Sequence, residues 1–122
     1  MGFRLYVHKK HIIECGKSAF NWNNGEINTL LYDTCSCYFN DEGFYENATE
    51  VEVLKEDFKK LYRKILKGTN EQIKKRLLDE YNMSEDTIED LERIGFAEIA
   101  NIFREMYKDA QKKDDYIYFS WM

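Results

Sequence analysis

Apolar and polar positions alternate strictly through Phe3-Arg4-Leu5-Tyr6-Val7-His8, the pattern of a half-buried strand. Lys9-Lys10 interrupts it, and His11-Ile12-Ile13-Glu14-Cys15 resumes as a second strand before Gly16, which predicts an N-terminal hairpin. The turn is not of the favoured Asn-Gly type, so its register stays open. Residues 19–25, Ala-Phe-Asn-Trp-Asn-Asn-Gly, form a turn signal carrying one large ring, Trp22. Ile27, Leu30, Leu31 and Tyr32 fit a short helix or part of a strand. Thr34, Tyr38 and Phe39 favour a strand over 33–39, closed by the turn Asn40-Asp41-Glu42-Gly43. Phe44-Tyr45 then reads as a returning strand or an exposed aromatic loop. Thr49-Glu50-Val51-Glu52 has capping-box spacing, yet Val51 and Val53 alternate with Glu50 and Glu52 as in a short edge strand.

The period changes from two to 3.6 at Leu54. Leu54, Phe58, Leu61, Tyr62, Ile65 and Leu66 make a helical stripe that stops at Gly68. Thr69 with Gln72 has capping-box spacing, and Ile73, Leu77, Leu78 and Tyr81 make a second amphipathic helix. The longest pattern runs from Ser84 to Gln111, with Ile88, Leu91, Ile99, Ile102, Phe103, Met106 and Ala110 on one stripe. Ser84 is a suitable N-cap, and Gly95 lies on the stripe, admitting a close neighbour or a kink. Tyr116-Ile117-Tyr118-Phe119-Ser120-Trp121-Met122 is a dense β-forming run expected to be tied down against the N-terminal hairpin. The fold class expected is α+β: a small antiparallel sheet from N-terminal hairpin(s) and the C-terminal strand, packed against about three helices from the middle of the chain. At 122 residues one globular domain over 1–122 is expected.

Composition adds to this picture in three places. Charged residues at 34% and hydrophobic residues at 43% are a globular balance and exclude a disordered chain. The nine Tyr, eight Phe and two Trp supply bulky core and interface material, with some rings expected on the surface. The N-terminus lacks a signal-peptide pattern, and no apolar run approaches the ~20 residues that span a bilayer, so a cytoplasmic location is expected. Residues with A/T-rich codons are abundant, which points to an A/T-rich genome such as those of many low-G/C bacteria and their phages.

Candidate chemistry is sparse. Cys15, Cys35 and Cys37 with His8 and His11 form the one set that reads as a potential zinc site. In a two-residue hairpin His8 and His11 face each other, but Cys15 lies about 13 Å beyond His11 at ~3.3 Å per residue. Small buried thiols are the competing reading, and no metal is expected. No phosphate loop, His-Glu-x-x-His, nucleophile elbow or dinucleotide fingerprint occurs, so neither catalysis nor a cofactor is expected.

Charge is distributed more informatively than motifs. The net charge of −5 hides a segment, residues 55–76, with nine Lys/Arg against three Asp/Glu, and another, residues 79–115, with five against twelve. Lys59, Lys60, Arg63 and Lys64 on a helix would suit phosphates, as they would a solvated face or a rest for the acidic segment. Glu85, Asp86, Glu89, Asp90 and Glu92 suit a helix dipole and equally a partner with a basic surface. In general character the chain is similar to small phage-encoded proteins that block bacterial defence systems, anti-CRISPR proteins among them. That similarity implies stoichiometric occlusion of a partner's surface. The leading expectation is a non-enzymatic protein-binding module, a monomer or homodimer, engaging its partner through Glu85, Asp86, Glu89, Asp90, Trp22 and Tyr45. The alternatives are nucleic-acid binding through Lys59, Lys60, Arg63 and Lys64, and capture of a small ligand between sheet and helices.

Overall fold

The computed structural model describes residues 10–13, 24–41, 43–110 and 114–121. Among the described residues a four-stranded sheet in the order β1-β4-β3-β2 is built from β1 (Lys10–Ile13), β2 (Cys37–Phe39), β3 (Glu50–Leu54) and β4 (Tyr116–Trp121). The described helices are α1 (Asn24–Thr34), α2 (Lys55–Lys60), α3 (Asn70–Tyr81), α4 (Glu85–Ile94) and α5 (Phe96–Asp109), with a 3₁₀ turn at Tyr45–Asn47. The α+β expectation holds, with five described helices where about three were expected.

Four expectations need correction. The sheet is mixed: β4 runs antiparallel to β3 but parallel to β1, with Lys10 opposite Tyr118 and Ile13 opposite Trp121. Parallel pairing requires a crossover between the strands, and nearly the whole chain separates β1 from β4. The hairpin's first strand, Phe3–His8, its Lys9 and residues 19–23 of the expected turn, Trp22 among them, lie outside the described residues, while Asn24 and Gly25 of that turn open α1. Second, Val51 and Val53 belong to an interior strand, because β3 is paired on both sides and the short β2 takes the edge. Third, the pattern over 33–39 is helix as far as Thr34, and only Cys37–Phe39 is strand. Ile27, Leu30 and Leu31 decide this: all three are fully buried on one face of α1.

The single helix expected from Ser84 is also divided. Gly95, at φ 109° and ψ 113°, closes α4 by donating its N–H to Leu91 O, while its own carbonyl accepts from Ile99 N to begin α5. That conformation is one that glycine adopts without the Cβ penalty. Both expected caps are present. Ser84 Oγ accepts from Thr87 N, and Thr69 with Gln72 forms the reciprocal capping box.

Strand alternation sorts the sheet into two faces. Phe39, Val51, Val53, Ile117 and Trp121 are buried against helical residues including Phe58, Leu61, Phe103 and Met106. Phe58 and Phe103 lie 4.7 Å apart between centroids and join α2 to α5 beneath the sheet. Asn28 is the one fully buried polar side chain among the described residues, and it links three elements. Its Nδ2 donates to Tyr45 O and Ala48 O, and its Oδ1 accepts from Trp121 Nε1 at 2.8 Å. β4 is thereby anchored at its end as well as along both ladders.

Candidate interaction surfaces

Beside the edge strand, rings crowd the surface. Tyr32 on α1 stacks on Tyr45 of the 3₁₀ turn at 4.0 Å between centroids and 3° between planes. Phe39 of β2 lies beneath both, 6.3 Å from Tyr32 and 5.8 Å from Tyr45. Tyr32 is nevertheless 54% exposed, and neighbouring Phe44 is 62% exposed. The turn that carries Phe44 is fixed by Asp41, whose Oδ1 accepts from Phe44 N at 3.1 Å, and by Asn40, whose side chain bonds Thr49 and Glu50 N. Asp33 and Glu46 place negative charge beside Tyr45, and burial raises the Asp33 carboxyl above its ordinary range. The result is an aromatic patch with an acidic rim on local backbone held by hydrogen bonds. Among the described residues, Tyr45 is the one expected partner-binding residue that belongs to it. Phe44 occupies the exposed aromatic loop that was one of two alternatives for Phe44-Tyr45, whereas Tyr32 is not legible in sequence because a helix-or-strand ambiguity leaves its exposed face unassigned.

The acidic start of α4 is a different kind of surface. Glu85, Asp86 and Glu89 are exposed, but Glu85 and Glu89 share a groove with Lys74 and Lys75 of α3. Asp90 pairs with Arg93 at 2.9 Å, and Glu92 pairs with Lys74 at 3.3 Å. Part of this charge is answered within the molecule, by Lys74 and Arg93 and not by the basic face of Lys59, Lys60, Arg63 and Lys64.

The basic helix is not answered in that way. Lys59, Lys60, Arg63, Lys64 and Lys67 have no ion pair with a carboxylate of the described residues. α2 continues through a wide turn at Leu61–Ile65, where Leu66 N donates back five residues to Leu61 O at 2.9 Å. Its last carbonyls, those of Lys64, Ile65 and Lys67, all accept from Arg76 Nη1 of α3. Between this end of α2 and α5 lies a groove of about 540 Å³ lined by Arg63, Lys67, Arg104, Tyr62 and Asn101 among others. Arg104 was absent from the sequence-derived site because it sits in the acidic half of the chain.

The thiols are arranged for burial. Desolvation pushes the Cys35 thiol up to about 12 and the Cys37 thiol still higher, and Cys37 Sγ donates to Leu31 O at 3.3 Å. Zinc ligation and nucleophilic attack both need the thiolate that these surroundings disfavour. Cys15, His8 and the side chain of His11 lie outside the described residues. No group of His, Cys, Asp or Glu suited to a metal occurs among the described residues, and no described helix is long and apolar enough to cross a membrane. Compared with protein-family models, curated proteins and solved structures, the chain has no significant match to any.

Proposed function

We propose that this protein is a non-enzymatic binding module that docks on a protein partner through the aromatic patch beside β2. The observation that carries the reading is the pair of outward rings, Tyr32 and Phe44, on a stacked and hydrogen-bonded support. Large rings fixed before binding lose little freedom on association, which is why such residues dominate interface energetics. The rim of Asp33, Asp41 and Glu46 selects a partner whose facing surface is basic. The acidic start of α4 contributes less in this reading, since Lys74, Lys75 and Arg93 already face its carboxylates.

A small stoichiometric inhibitor, carried by a phage or mobile element and acting in the cytoplasm on a bacterial defence protein, is the biological form this module would take. Compact size, acidity and the A/T-rich composition support that extension. The test compares wild type with Tyr32→Ser/Phe44→Ser as bait, followed by titration of the recovered partner. The double variant is expected to bind about 30-fold or more weakly, the effect of losing hot-spot rings, while keeping a cooperative melting transition lowered by about 10 °C or less for the lost Tyr32–Tyr45 stack. Glu85→Ala/Glu89→Ala should change affinity far less. Equal binding by wild type and the ring variant would exclude the patch.

A further inference from the structure

We propose that the groove between α2 and α5 is a second, independent site that binds the phosphodiester backbone of a single-stranded nucleic acid. Three cations line it, Arg63 and Lys67 from α2 and the turn after it and Arg104 from α5, and no carboxylate does. Arg104 is held in place. Its guanidinium lies 5.6 Å from the Tyr62 ring centroid, and its Nη1 donates to Asn101 Oδ1 at 2.8 Å. Five N–H donors in a planar fork leave others for phosphate oxygens, and holding the fork beforehand reduces the entropy lost on binding.

The surroundings favour an anion for two further reasons. A helix C-terminus is normally the negative end of a dipole and repels phosphate. Here Arg76 donates to the three terminal carbonyls that would do so, and its positive charge offsets that end. On the opposite wall Ala97 and Ala100 replace long side chains, which gives the groove its depth. The cationic strip continues from this groove to Lys59, whose ammonium lies 5.9 Å from the Tyr107 centroid, with Tyr107 itself 5.8 Å from Tyr62.

The form of the strip selects the strand type. From Lys59 to Lys67 it extends about 12 Å at 1.5 Å per residue, and its concave part lies between two helices. A flexible single strand can enter such a cleft, whereas duplex recognition places a projecting helix or ribbon into a DNA groove. The overall charge of −5 does not oppose this, because the local field of the strip and not the total governs the encounter.

The experiment measures fluorescence anisotropy of a labelled oligothymidine of about 20 nucleotides, a length that covers a site of this class, and of a duplex of the same length. The intact protein should bind the single strand more tightly than the duplex. Neutralising three to four phosphates predicts a slope of log affinity against log salt of about −2 to −3. Arg63→Gln/Lys67→Gln, both solvent-facing, should lower affinity at least tenfold, as should Arg104→Gln, while Lys74→Gln/Lys75→Gln outside the groove should retain it. Undiminished binding by Arg63→Gln/Lys67→Gln, equal loss in the Lys74/Lys75 variant, preference for duplex, or no binding at low salt would each overturn the proposal.

Discussion

Asn28 shows how one side chain can decide the cohesion of a small domain. It satisfies two carbonyls of the chain leading into β3 and the indole N–H of Trp121, all within apolar surroundings. Asn28→Ala is expected to destabilise the protein by about 3 kcal/mol, since it removes the acceptor of the buried Trp121 indole N–H and the donor to Ala48 O, while Tyr45 O keeps its bond from Ala48 N. Urea unfolding followed by circular dichroism measures this, and a loss below about 1 kcal/mol, the scale of one ordinary hydrogen bond, would show that water replaces the amide. Periodicity weighs apolar residues, so it located Ile27, Leu30 and Leu31 but was blind to a polar residue on the same buried face. Arg104 was hidden for a related reason. Its importance comes from Arg63 and Lys67, which are distant in sequence and near only after folding.

At the scale of elements, capping chemistry was the most legible signal. Thr69, Gln72 and Ser84 make the bonds their spacing predicts, because a cap is satisfied within three residues. Gly95 was legible as a position of interest but not as a break, since both α4 and α5 keep their apolar faces inward across it. Its positive φ supplies a definite expectation. Gly95→Ala should cost about 1–3 kcal/mol of stability, the range for a non-glycine residue held in a sparsely populated conformation. Space is not the reason, since an added Cβ would meet Glu98 Cβ at an ordinary 3.5 Å. Denaturant unfolding of the variant gives the value, and no loss would mean that the α4–α5 junction relaxes into continuous helix.

At the scale of the whole molecule, β4 holds the sheet together. It pairs with β1 on one side and β3 on the other, and Trp121 reaches the buried Asn28. Removing residues 116–122 should therefore abolish cooperative unfolding, which circular dichroism against temperature reads directly. A retained sharp transition would show that the helices fold without the strand. Charge is also organised at this scale: acidic residues of α4 meet lysines of α3, whereas Lys59, Lys60, Arg63, Lys64 and Lys67 form no ion pair with a described carboxylate, and Arg63 and Lys67 lie beside Arg104. Sequence by itself determined the α+β class, the caps, the strand at 116–121 and the abundance of rings and charges. Those properties follow from residue spacing, propensity and number. Only the tertiary structure decided the parallel pairing of β1 with β4, the interior place of β3, which cations remain unpaired, and which rings face outward. Each of these depends on contacts between distant segments, for which local periodicity carries no record.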